Sequence, residues 1–290
     1  KEIGEIQDMK LSEVVTTAQP IESERDAGIN PDIARIIEEF KNSPGIYLDI
    51  ETYGDQGAEA LDPHKGHIRL LTLCDEEHTH VLDLHLYSKE DIKVLLLAIK
   101  SKIIIGHNLK FDITYLAVKF GQEIIPDNVF DTMLATKLLY HQDESMPAIK
   151  GTFKLQTVMK KYTGVDMDKT QQLSNWGWPT LTPNQIEYAI NDVELLRGLR
   201  ARLTEELNNR SLKTTTPDAL GLKDIVTQIE MKFLPEVIKM CMNGIPVNWK
   251  YIEEKFINAE ARMLVLYRRL REDGLDPNSP KKLLSILHTR

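Results

Sequence analysis

Cysteine is scarce: Cys74 and Cys241 are the only two in 290 residues, too few for a disulfide scaffold and without zinc-ligand spacing. A reducing compartment is the expectation. Apolar runs are short, the longest being of the kind seen from Val94 to Ile99, far from the ~20 residues that span a bilayer. No basic stretch leads into an apolar one at the N-terminus. The chain therefore reads as soluble, with no membrane partner. Positive charge is in deficit, 36 Lys and Arg against 44 Asp and Glu, for a net charge of −8. That balance argues against a broad basic face gripping long duplex nucleic acid. It leaves room for a protein whose positive charge arrives as bound metal, because the ligands themselves are acids. Internal repeats and low-complexity tracts are also missing, which excludes a solenoid.

What is present suits one domain of ordinary size with a smaller appended part, at 42% hydrophobic residues. Residues Lys1 to Asn30 lack periodicity and read as an arm. Asn30 as N-cap, Pro31 at the first helical position, and Ile33, Ile36, Ile37 and Phe40 at helical spacing predict a short helix, closed by Ser43-Pro44-Gly45. Alternation from Ile46 to Glu51 predicts a strand, with others at Ile68 to Cys74, His80 to Leu84 and Lys102 to Ile105. Helices are expected from Ser88 to Lys100, Phe111 to Phe120, Thr132 to Tyr140 and Leu155 to Tyr162. The best-marked one starts at Thr182-Pro183-Asn184-Gln185, a capping box with proline at the first position. Asn208 to Gly221 reads as a linker, followed by helical segments over Leu222 to Met242 and Trp249 to Asp273. Early strands followed by alternating helices and strands give an α/β fold, a mixed β-sheet flanked by helices with a C-terminal α-helical appendage.

Three motifs carry chemistry. Asp49 and Glu51 stand two apart at the end of the first strand, so both carboxylates project from one face, where they repel unless a cation joins them. Gly106 to Asp112 follows an apolar strand and presents Asn108 and Asp112 at its C-terminal edge, where α/β sheets place their sites. Tyr188 and Asp192, four apart, share a helix face. Each motif alone has a bland alternative: acids on an exposed strand, a helix cap with a surface aspartate, a boundary tyrosine beside a solvated acid. Together they form the hard-oxygen set that two-metal phosphodiester hydrolysis needs, with cations about 3.5–4 Å apart.

In order and spacing, Asp-x-Glu, Asn-x-x-x-Asp and Tyr-x-x-x-Asp resemble the three motifs of the DEDDy branch of DnaQ-like 3′→5′ exonucleases, whose sheet is ribonuclease H-like. The likeness covers roughly Gly45 to Leu203. Phe130 to Leu134, and Asp168-Lys169 with Trp176, resemble segments shared by ribonuclease D and the proofreading domain of family A DNA polymerases. The resemblance implies two divalent cations, Mg²⁺ or Mn²⁺. Asp49 would bridge them, Glu51 and Asp192 would complete the water-activating site, and Asp112 would serve the second ion. Tyr188 would position the water. Asn108, His107 and Leu61 would contact substrate, Leu61 as a wedge beyond an enlarged loop at Tyr53 to Ala60. Trp176, Trp178, Lys110, Arg69 and Lys169 are weaker candidates for bases and phosphates, and Asp131 reads as structural.

Downstream, Ile229 to Pro235, Met242 to Asn248 and Asp276 to Leu284 resemble the stretch that opens the thumb of family A polymerases. The expected division is an arm and short helix over 1–44, an exonuclease domain over 45–207, a linker over 208–221 and the helical start of a thumb over 222–290. With Lys1 first and no palm or fingers motifs, the chain is expected to be cut from a longer polymerase and unable to extend a primer. The expected partners are a single-stranded or frayed 3′ end of DNA and the remainder of a polymerase chain, the protein being a monomer. Its expected location is the cytoplasm, nucleoid-associated, or a host's cytoplasm if viral, with an organelle open. A free-standing ribonuclease D-type exoribonuclease and a catalytically silent binding domain are the competing functions; the intact acids oppose the latter.

Overall fold

The computed structural model describes residues 28–141, 151–168, 170–171, 174–210, 221–276, 278–279, 281 and 284–285. The expected arm up to residue 27, most of the linker, Lys169 and much of the 276–284 motif lie outside them. The core is a five-stranded sheet in the order β3-β2-β1-β4-β5, built from β1 (Gly45–Tyr53), β2 (His67–Cys74), β3 (Thr79–Asp83), β4 (Ile103–Gly106) and β5 (Asn128–Asp131). β1, β2 and β3 run antiparallel in sequence, while β4 pairs parallel with β1 and β5 parallel with β4. β5 is a strand that periodicity does not reveal: its four residues give too short a run to register a period.

The helix α1 (Pro31–Glu39) forms as expected, its first turn capped by the Asn30 side chain, and buries Ile33 and Ile36. It packs against α2 (Lys89–Ile99), so it belongs to the compact body rather than to an arm. His80 is buried there, edge-on to Phe40 and 2.7 Å from Glu39. α3 (Leu109–Phe120), α4 (Thr132–His141), α5 (Leu155–Thr163) and α6 (Pro183–Asn209) complete the layers. α6 buries Tyr188, Ala189, Asp192, Val193 and Leu196 along one face and packs on β1 and β2.

Beyond Gly221 the expected boundary moves. A short α7 (Leu222–Asp224) runs into a π-helical stretch (Ile225–Glu230) and then α8 (Met231–Asn243). Leu222, Val226, Met231, Leu234 and Ile238 lie in the same hydrophobic core as the sheet, and the first compact unit extends to Met242. The second unit, Asn243–Arg290, contains α9 (Trp249–Glu272), an amphipathic helix capped by Asn248 with no buried residue.

Candidate active site

The site is assembled where β1 outruns its parallel neighbour. β4 pairs with β1 only as far as Tyr47, opposite Ile105. Past that point the amide of Ile50 has no strand to bond, and Asp112, from the first turn of α3, accepts it at 3.3 Å through Oδ1. The two strands approach so closely that a Cβ on Gly106 would lie 2.9 Å from the Leu48 carbonyl oxygen and 2.4 Å from Leu109 Cδ2, which requires glycine. On the other side β2 stays paired with β1 to Tyr53, and α6 crosses above. Oxygens of Asp49, Glu51 and Asp192 lie within 4.8 Å of one another, the donor set of a hard divalent cation.

Asp112 stands outside that triad of ligand atoms, yet it feels it. Burial, then the neighbouring Asp49 charge, pushes its carboxyl well above the usual range. Tyr188 is also buried, and its hydroxyl is held protonated far beyond the ordinary phenol range by burial and by the charges of Asp192, Glu51 and Asp49, with a hydrogen bond to Asp192 adding to the effect. The hydroxyl thus keeps its proton.

The residues expected near substrate fall into two groups. Asn108 is exposed and takes the left-handed conformation, φ 66°, as N-cap of α3, but its side chain caps nothing. With Pro63, Lys110, Phe111, Thr114 and Tyr115 it lines a cavity of about 260 Å³. The loop above is pinned by Tyr115, whose hydroxyl donates to the carbonyls of Ala60 (3.1 Å) and Asp62 (3.2 Å), and the expected enlarged loop carries a 3₁₀ turn at Gly57–Leu61. Leu61 stands there 72% exposed. His107, also expected to contact substrate, has its ring nitrogens 2.9 Å from Thr132 Oγ1 and 2.9 Å from the Phe153 carbonyl, tying the end of β4 to the turn at 151–153.

Capping of α3 falls to Asp131. Its carboxylate accepts the amides of Asn108 (3.1 Å), Leu109 (2.9 Å), Met133 (2.8 Å) and Leu134 (3.3 Å), serving the N-termini of α3 and α4 together. Arg69, a candidate for phosphate from sequence, is buried and bound to backbone carbonyls instead. Trp176 is buried beside Tyr188 with ring centroids 6.2 Å apart, whereas Trp178 is exposed. Sequence reasoning missed a cavity of about 490 Å³ flanking Tyr188 and Asp192, walled by Asp166, Asn184, Glu187 and Asn191 among others. The spacing of Asn184, Glu187 and Asn191 along α6 was the available signal.

A family model described as 3′-5′ exonuclease matches residues 29–208. The chain is 37% identical over 266 residues to DNA polymerase I of Aquifex aeolicus (strain VF5), covering 88% of this chain and 42% of that protein. It is 26% identical over 193 residues to ribonuclease D of Desulfotalea psychrophila, covering 66% of this chain and 47% of that one. The chain thus spans less than half the length of these curated relatives. The solved structure of Brucella melitensis NrnC superposes with a TM-score of 0.53 at 25% identity, over 70% of this chain and 87% of that one.

Proposed function

The chain belongs to the 3′-5′ exonuclease family of the DNA polymerase A type, matched over residues 29–208, and from that premise we propose that it removes nucleotides singly from the 3′ end of DNA as the editing part of a family A polymerase. The observation that carries the reading is the convergence of Asp49, Glu51 and Asp192 within 4.8 Å, with Tyr188 one helical turn from Asp192. Two divalent cations, Mg²⁺ or Mn²⁺, when held by Asp49, Glu51 and Asp192 and by Asp49 with Asp112, supply Lewis acidity and an ionisable water.

The protein's own groups do the rest. Asp112 and Asp49 are kept adjacent by the bond from the Ile50 amide. Tyr188, retaining its proton, orients the attacking water by hydrogen bonding. The cavity beside Asn108 and Lys110 receives the strand backbone, and exposed Leu61 wedges against the terminal base. A frayed or mismatched end reaches such a site at least cost, because it needs no unpairing. This reading places the chain beside DNA in the cytoplasm, joined to the remainder of a polymerase.

The test is digestion of 3′-labelled and 5′-labelled DNA and RNA strands with Mg²⁺ or Mn²⁺. Stepwise loss of mononucleotides from the 3′ end, faster on single-stranded DNA than on duplex or RNA, is expected. Release from the 5′ end, or no cleavage with either metal, overturns the reading; a preference for RNA moves it to the ribonuclease D function.

A further inference from the structure

We propose that Arg69 is a positioning residue for hydrolysis: from β2 it clamps the turn before α6, and through Trp176 it fixes the ring of Tyr188 beside the carboxylate triad. The strand register supplies the starting point. Glu51 pairs with Leu70 but Thr52 pairs with Ile68, which leaves Arg69 as the extra residue of a β-bulge directly beyond a metal-binding acid. Bulges re-aim side chains, and this one turns a guanidinium inward. Arg69 is 1% exposed.

Its partners belong to one short turn. Nη1 donates to the carbonyls of Trp176 and Trp178, while Nη2 donates to Pro179 at 3.1 Å and to the Asp83 carboxylate at 2.9 Å. Gln185 in the first turn of α6 holds the same segment from the other side, donating to Ser174 Oγ at 3.0 Å. The turn is also pressed against β1, since a Cβ on Gly177 would lie 2.8 Å from the Tyr53 ring. Trp176, 3% exposed, is thereby wedged against Tyr188. A buried guanidinium is expensive, and stability alone rarely justifies one. What it supplies here is a planar fork that spans several carbonyls and an acid, which an ammonium cannot reproduce.

The proposal rests on the exonuclease reading and on the role given there to Tyr188. It is tested in the full chain by single-turnover and steady-state cleavage of a single-stranded oligodeoxynucleotide with Mn²⁺, comparing Arg69→Met, Tyr188→Phe and the double variant. A misplacement of about 1 Å at a reacting group costs roughly 10²-fold, so Arg69→Met is expected to lower kcat about 10- to 100-fold with KM unchanged. Arg69→Lys should remain slow. Because Arg69 acts through the tyrosine hydroxyl, the double variant should match Tyr188→Phe within about twofold. An Arg69→Met enzyme as fast as wild type, or a double variant slower than Tyr188→Phe by the full Arg69→Met factor, overturns the proposal. If Arg69→Met does not fold, Trp176→Leu, which leaves the guanidinium in place, must show the same non-additivity with Tyr188→Phe, and a multiplicative result there also overturns it. Wild-type chain that releases no nucleotides would sink the exonuclease reading itself, a different outcome from an active enzyme with a multiplicative cycle.

Discussion

Asp112 is the acid whose environment is least comfortable. Its carboxyl is raised by burial and by Asp49, so the metal-free fold binds a proton there that the unfolded chain gives up near pH 3.9, about the ordinary aspartate value. The sign follows: this stability is present below that value and is lost as pH rises through the raised folded pKa. At neutral pH without metal, Asp112→Asn should therefore stabilise the protein, since asparagine can still accept the Ile50 amide without carrying charge. A gain of order 1 kcal/mol would raise Tm by about 2–4 °C for a domain of this size. Thermal melts in EDTA across pH 4 to 8 check it: the wild-type melting point should fall toward neutral pH relative to the variant, and Mn²⁺ should raise wild type more. Cleavage by the variant should be lost. The acids themselves were legible in the sequence, because spacing of two on a strand and four on a helix dictates shared faces. The proton on Tyr188 and the discomfort of Asp112 were not, because they depend on burial and on neighbours distant in sequence.

At the scale of elements, Asp131 is the joint between α3, which carries Asp112, and α4. Removing it leaves four helix-terminal amides without their acceptor. Asp131→Ala should cost about 2–4 kcal/mol, counting two helix caps at up to ~2 kcal/mol each. Urea unfolding of the variant checks the size, and an effect below about 0.5 kcal/mol would mean that water replaces the carboxylate freely. From sequence, Asn108 looked like a possible cap and Asp131 merely structural. The cap turned out to be the residue at the end of β5, a strand too short to show a period, so only the parallel pairing of β4 with β5 brings it into reach. Arg69 shows the same gap in another form. A single basic residue in an apolar strand gives no clue that a bulge will turn it inward.

For the whole molecule, the compact unit ends at Met242, and the helical stretch from Leu222 to Ile238 contributes to its core. Composition marked a linker near Gly221, but the apolar face that follows continues the same body, which turn residues alone could not disclose. A chain ending at Met242 should thus unfold in one cooperative transition and cleave within about twofold of the full chain, as expected for sites that do not share partners. A chain ending at Gly221 should lose several kcal/mol, since it removes five buried apolar side chains worth about 1.5–3 kcal/mol each before compensation. Denaturant melts and nuclease assays on both truncations decide where the functional body stops.

The early end of β4 has a meaning beyond local geometry. Because the parallel ladder stops at Tyr47, β1 carries an amide that only a side chain can satisfy, and the side chain that does so is an acid beside Asp49. The length of a neighbouring strand, and not only the identity of a residue, decides that a carboxylate stands at this place. A lineage that lengthened β4 far enough to pair with Ile50, three residues past Tyr47, would zip the amide into the sheet and set Asp112 adrift. Such a descendant could fall silent as a nuclease with every acidic residue still written in its sequence.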